Sequence, residues 1–407
     1  MKTIFLIDNL SDGHHTTYMK FFSKAIIELG HKVVLLCPNP EEVKKWVTMN
    51  SSSYSNFDAF FFEEEFYFTP SYNIPVINTL ESIFFHTAKF SKISSAISEV
   101  FKKNGLKPDL VFFLFLDNCM NKNHVNFLIN MVFKYKWTGL YFWAGKSLEY
   151  KNGILEKLLP FRNDINLLNS NNCQSVCILN EYAAGHLKKL INKEVYILPD
   201  FADNAAIDEQ FEPANEIRQK ANGRKIVCLI GALDRRKSVL TLLKAAELLD
   251  KNQFYFVIAG KFYERSFSED EKNFILNIAK TPPENFYFYL QTIPDENKFN
   301  AFIKNSDYLF AVYENFPNSS NILTKAAIFK KMVITSNRYC MAERNIKYHL
   351  GVTATENDPQ ALAAAISELP AKEKDIKANF DEYLNCHSIE RLYKQLTIIL
   401  NNDGATK

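Results

Sequence analysis

Apolar residues along this chain fall into two arrangements, short continuous runs and a spacing of three to four, and the two alternate. Runs at residues 3–8 and 32–37 flank a stretch in which Tyr18, Met19, Phe22, Ile26 and Leu29 recur at helical spacing, which predicts a βαβ unit. Similar runs follow at 57–62, 110–116, 139–143, 175–179 and 194–198. Strands that are apolar throughout and alternate with helices predict a parallel sheet covered on both faces. Residues 199–224 are polar and weakly patterned, and read as a linker. The alternation then restarts, with strands expected at 225–230, 254–259, 285–290, 308–312 and 332–335 and helices at 238–250, 270–279, 296–304 and 322–329. Two more helical segments, 361–369 and 388–400, complete the pattern. The predicted class is α/β, with two Rossmann-like doubly wound domains in tandem, 1–200 and 201–385, and a C-terminal helix in 386–407 that crosses back to the first domain. Ligands of such sheets bind beyond the carboxyl ends of the strands, so two domains facing each other would place a cleft between them.

One stretch of the second series invites an anion. Between the strand at 308–312 and the helix at 322–329, residues 314–321 supply Pro317, two serines and two asparagines, so the helix should start near Asn321. Ser319, Ser320 and Asn321 are each able to cap it, and the amides of its first turn would face a phosphate above the strand ends. Capping and phosphate binding are compatible.

Composition narrows the field. A chain of 407 residues, 47% hydrophobic and 14% aromatic, can bury a large core. With 48 basic and 46 acidic side chains the formal charge is +2, which gives no reason to expect nucleic acid as a partner. The seven cysteines are scattered without zinc-type spacing and read as buried thiols in a reducing compartment. The first apolar run is too short for a signal-peptide core, and no stretch approaches the roughly 20 apolar residues of a membrane helix. A cytoplasmic protein with at most peripheral membrane contact is expected.

The second domain opens with IGALDRRKSVLTLLKAA, where Gly231 follows a strand and Arg236 and Lys237 precede a helix. This resembles the family 4 type of GT-B glycosyltransferase, in which a strand, a glycine loop and an R-K-G segment bind the donor diphosphate. VIAGK at 257–261 is similar to the family's glycine-ended strand, and KAAIFKKMVITS at 325–336 to its E-A-x-A-x-G-x-P-V-I-A-S, so the resemblance spans roughly 225–370. It is weaker in the first domain, where DGHHTTYMKFFSKAIIELGHKVVLLC has the glycine turn, long helix and G-H-x-V entry. The resemblance implies that Gly231, Arg236, Lys237, Ser319, Ser320 and Asn321 bind the donor diphosphate. The bland alternative for Arg236 and Lys237 is a solvated basic turn. One departure is chemical: where the family has two glutamates with seven residues between them, the second holding the donor ribose, this chain has Lys325, and the position of the first is Pro317. An ammonium only donates hydrogen bonds, so ribose recognition is altered or lost. Lys325 then either reaches a phosphate or is a solvated helical lysine. Glu314, eleven residues before it, would serve only in a rebuilt loop.

In the first domain Gly13, His14 and His15 follow the first strand, at the edge where ligands bind. An imidazole there suits an acceptor hydroxyl or a donor phosphate, with Asp12 to bias its protonation, or else one histidine merely opens the helix. These two histidines are the catalytic candidates. Asp117 and Asn118 stand after another strand, and the stretch from Trp143 to Lys146 offers stacking for a sugar ring. Glu181 and His186, two residues at helical spacing without a third ligand, read as a surface helix. The expected function is transfer of a sugar from a nucleotide-sugar donor to an acceptor hydroxyl on a glycan or lipid-linked acceptor, in surface polysaccharide or glycoconjugate synthesis. Retention of configuration is implied by the resemblance. No cofactor is expected, and metal independence follows from the lack of a D-x-D segment between the domains. The alternatives are a non-catalytic glycosyltransferase-like binding protein and a GT-B sugar-nucleotide epimerase.

Overall fold

The apolar runs become strands. The computed structural model describes residues 1–10, 14–63, 74–120, 123–150, 163–375 and 379–401; Asp12 and the candidate Gly13 lie outside them. Two units are distinguished: Met1–Pro199 with Ile389–Lys407, and Asp200–Ser388. In the first, β1 (Thr3–Ile7), β2 (Lys32–Cys37), β3 (Phe57–Phe61), β4 (Leu110–Phe113), β5 (Trp137–Tyr141), β6 (Ser175–Ile178) and β7 (Glu194–Ile197) form a parallel sheet in the order β3-β2-β1-β4-β5-β6-β7. The second holds β8 (Lys225–Ile230), β9 (Phe254–Ala259), β10 (Phe286–Tyr289), β11 (Tyr308–Ala311), β12 (Met332–Ser336) and β13 (Gly351–Ala354), parallel in the order β10-β9-β8-β11-β12-β13. Both are doubly wound α/β units.

Alternate side chains of a strand face opposite sides, and β8 shows the result: Val227 and Leu229 enter one core, Ile226, Cys228 and Ile230 the other. Each sheet reverses its strand order beside its first strand, between β1 and β4 and between β8 and β11. Crevices open at such reversals beyond the carboxyl ends. The loops after β1, β4, β8 and β11, which carry most of the candidate residues, begin there.

Two expectations are corrected. The stretch read as an unpatterned linker contains the helix Glu212–Ala221, which buries Ala214, Ile217 and Ala221 and ends on Asn222 in the left-handed region at φ 47°. Three small or single apolar contacts suffice there because a lone face is covered. The last strand, β13, was not anticipated, since Gly351 and two threonine-flanked apolar residues make too short a run. Six cysteines are buried free thiols, but Cys386 is exposed. Among the described residues no helix is long and apolar enough to cross a membrane, and no cluster of three metal-type ligands occurs.

The helix Ile389–Asn401 belongs to the first unit, with Leu392, Leu396, Ile399 and Leu400 buried. Lys2 Nζ donates to Leu400 O at 2.6 Å and Tyr393 hydroxyl to Glu28. Just before this helix, buried His387 accepts at Nδ1 the backbone N–H of Asp200 (3.3 Å) and stacks on Tyr383. Burial, then the nearby Arg344 and Lys347 charges, push its pKa down to about 2. Such a histidine stays neutral when folded but takes a proton when unfolded, so its contribution is complete above the unfolded pKa of about 6.5 and is lost as pH falls below it, by about 1.4 kcal/mol per pH unit. Denaturant titrations at pH 7.5 and 5.5 should therefore show lower stability at pH 5.5, with His387→Asn cutting that loss by about 1.4 kcal/mol. An equal loss in the variant would remove His387 from the account.

Candidate functional site

At the carboxyl edge of the second sheet, β8 and β9 end in backbone contact. Gly231 has φ 111° and Gly260 φ 137°, and a Cβ on Gly260 would lie 1.8 Å from the Gly231 carbonyl oxygen. Gly260 is thus required by the neighbouring backbone, whereas at Gly231 an added Cβ would meet only Lys237 Nζ, at 3.7 Å. From Gly231 the chain enters a 3₁₀ turn at Arg235–Lys237 that brings Lys237 back over the glycine. Lys237 is buried and donates to the Tyr313 hydroxyl at 2.5 Å, just past β11. The Arg236 guanidinium lies 4.5 Å from the Phe316 ring centre and 3.3 Å from Asp234 Oδ2. Its carbonyl accepts the Glu314 N–H at 2.9 Å. Glu314 in turn accepts from Ser238 Oγ at 3.2 Å and, once the Asn357 amide is turned to satisfy its partners, from Asn357 at 2.8 Å. The Asn315 N–H donates to Glu356 Oε2 at 2.9 Å.

The loops after β8, β11 and β13 are thereby knitted together. Ser238, Asn315, Tyr339 and Asn357 all have positive φ in this edge, at 54°, 46°, 66° and 57°. Each costs of order 1 kcal/mol, and such strain gathers where geometry serves a ligand. Of these two adjacent cations Arg236 pairs with the Asp234 carboxylate, while Lys237 donates to a phenol hydroxyl. That balance leaves room for an anion's charge.

The serine turn behaves differently from its expectation. Ser319 hydroxyl is occupied by Asp200 and by Arg344, which is fully buried with Nη1 3.5 Å from Asp200 Oδ2. The helix Ile322–Ile328 has Asn321 at its cap with no side-chain cap hydrogen bond. Ser320 and Asn321 instead give their carbonyls to Leu323 and Lys325 N–H. Capping by this trio is not what starts the helix, and Ser319 is an internal tie.

In the first unit His15 is buried, with Nδ1 2.9 Å from Asp8 Oδ2. Asp8, the residue after β1, also accepts the Leu10 N–H at 3.0 Å. The carboxylate that orients the imidazole is therefore Asp8, while the anticipated Asp12 lies outside the described residues. His14 is exposed, stacked 4.9 Å from His15 and 5.2 Å from Phe142. Asp117 accepts the N–H groups of Phe142 and Trp143, both at 2.8 Å. Burial pushes its pKa up to about 7, opposed by those bonds and by Lys146. Asn118 donates to Asn9 Oδ1 at 2.8 Å, joining the loops after β4 and β1.

Comparison with known proteins bears on this edge chemistry. Residues 210–384 match the family described as glycosyl transferases group 1. The chain carries a group 1 glycosyltransferase domain on a GT-B fold. Among solved structures it is similar to Anabaena HepE in complex with UDP and glucose (TM-score 0.67, 11% identity, 99% of this chain and 100% of that one). Sucrose-phosphate synthase from Thermosynechococcus elongatus is similar too (0.65, 15%, 99% of each), as is WaaG, a glycosyltransferase involved in lipopolysaccharide biosynthesis (0.59, 13%, 98% and 99%). No curated protein matches the chain in sequence.

Within the group 1 domain, Lys325 is neither a phosphate ligand nor a solvated lysine. It is 2% exposed, and its ammonium donates to Glu296 Oε2 and Asn300 Oδ1, both at 2.7 Å, and to the carbonyl of Asp203. All three ammonium protons are taken by protein acceptors, Asn300 buried and Glu296 half-buried, so Lys325 leaves the list of donor contacts. Sequence reading also missed Tyr313, Ser238, Glu356 and Asn357; only Tyr313, an aromatic directly after a strand, carried a local signal. Glu296 keeps contact with solvent, so losing the ammonium costs less than breaking a fully buried pair and leaves mainly the Asn300 and Asp203 acceptors unmet, about 1–3 kcal/mol. Lys325→Met should lower stability on that scale in thermal or denaturant unfolding. Lys325→Glu, facing Glu296, should lower it further, and a Lys325→Glu variant as stable as the parent would contradict this ion cage.

Proposed function

We propose that this chain transfers a sugar from a nucleotide-sugar donor to an acceptor hydroxyl. The supporting observation is the pair of cations at the glycine-ended edge of the second sheet: Lys237 held over Gly231 by the Tyr313 hydroxyl, and Arg236 beside it against Phe316. Charge grows on a diphosphate as the glycosidic bond breaks, and fixed cations placed where it grows favour the transition state over the bound donor. Gly231, Arg236 and Lys237 would take the diphosphate, with Glu314 close enough through Ser238 to meet the sugar. Arg236 and Lys237 supply the positive charge, so the reading requires no metal. Retention of configuration is carried over from the family resemblance.

In the first unit the Asp8–His15 pair suits the acceptor. Asp8 holds Nδ1 and fixes which way the ring presents Nε2, the atom available to a hydroxyl. A glycan or lipid-linked acceptor in surface polysaccharide synthesis, met in the cytoplasm or at the inner membrane face, agrees with the likeness to WaaG, named for lipopolysaccharide biosynthesis. One observation favours a second reading, a glycosyltransferase-like binding protein: the buried Lys325 where relatives carry a carboxylate.

Calorimetric titration with UDP, GDP and ADP should show binding of at least one, and Arg236→Ala should weaken it about tenfold. No heat from any of the three at millimolar concentration would sink the donor site. With the best nucleotide's sugar derivative as donor, His15→Gln should lower turnover while leaving nucleotide affinity unchanged. Nucleotide binding without turnover of any donor sugar would favour the second reading.

A further inference from the structure

The edge of the first sheet holds an aromatic platform that the proposed transfer does not yet use. Trp143 follows β5 by two residues and is 37% exposed. Its backbone does not drift: Asp117 accepts the N–H groups of both Phe142 and Trp143, and the Trp143 carbonyl accepts the Lys146 N–H at 2.9 Å, opening the 3₁₀ turn Ala144–Glu149. That turn brings Lys146 onto the same side as the indole, with Nζ 4.3 Å from the ring centre. Lys146 is exposed, and the nearby carboxylate whose charge it feels, Asp117, spends its oxygens on the Phe142 and Trp143 N–H groups. Phe142, beside Trp143, extends the aromatic surface to His14 and Phe115, at 5.2 and 5.1 Å.

We infer that Trp143 and Lys146 form a subsite for a sugar ring bearing an anionic substituent, a carboxylate or a phosphate. The flat C–H face of a pyranose takes the indole, as aromatic side chains with one wet side commonly accept amphipathic ligands. An ammonium resting over an exposed ring is weakly held. When the sugar arrives, Lys146 swings to the rim of the ring and pairs with the anion, exchanging a cation–π contact for a charge-assisted hydrogen bond. Asp117 keeps the platform rigid, so little ordering accompanies binding. The assignment of this sugar as the acceptor rests on the transfer proposed above; the subsite itself does not.

The test is ligand-observed saturation-transfer NMR on the full chain with methyl glucoside, glucuronic acid and glucose 6-phosphate, with and without UDP. One or both anionic sugars should bind about tenfold more tightly than methyl glucoside, and the stronger arm names the substituent. Lys146→Met should erase that preference. Trp143→Ala should weaken every sugar at least tenfold, while Trp143→Phe, which keeps an aromatic face, should bind within about threefold of the parent. Both positions are at the surface, so unfolding midpoints should stay at the parental value and report on misfolding. Equal binding of neutral and anionic sugars, or a preference that survives Lys146→Met, overturns the anionic assignment; binding that survives Trp143→Ala overturns the platform. Anionic sugars bound at Trp143 by a chain that takes no nucleotide would refute the transfer and leave the subsite standing.

Discussion

Lys325 and Arg344 are the most deeply buried cations among the described residues of the second unit, and a buried charge has to be met by groups that then lose their freedom. Lys325 is met by Glu296, Asn300 and the Asp203 carbonyl, and Arg344 by Asp200 and Ser319. Asp200 is further held at its N–H by His387 and at its carbonyl by Thr324. The opening of the unit, from Asp200 to Asp203, is thus pinned to the helices Ile322–Ile328 and Tyr339–Tyr348 and to the start of Glu296–Asn305. The loop carrying Ser319 inherits its position from the same charges.

That arrangement separates two kinds of polar residue in the group 1 domain. Lys325, Ser319 and Arg344 are satisfied internally and set the frame. Arg236 and Lys237 sit where the strands end, short of negative partners, with the strained residues Ser238 and Asn315 holding their loops. Charge balance distinguishes them better than residue type does, because a lysine is present in both groups.

Strand positions and the parallel, doubly covered layers were largely legible, since buried parallel strands such as Lys225–Ile230 and Phe254–Ala259 are nearly unbroken apolar runs. Gly351–Ala354 was not, because at four residues with three of them small or polar its place depends on pairing with β12. The site was legible where one segment carries it, as with Gly231, Arg236 and Lys237. It was illegible where partners are distant along the chain: Lys325 meets residues 25, 29 and 122 positions away, and nothing local marks a helical lysine as buried. His15 was readable as a candidate, but its carboxylate sits at a strand end seven residues earlier instead of in the adjoining loop.

The first unit is discontinuous: its last helix, Ile389–Asn401, follows the whole of the second unit. During synthesis roughly 190 residues separate Pro199 from that helix, which at about 5–20 residues per second is a wait of roughly 10–40 s. Through that interval the surface that Leu392, Leu396 and Ile399 will cover has no partner, while the second unit emerges with its own sheet contiguous. The half that begins first is therefore completed last, and its exposed apolar face is the one a nascent chain must shield longest.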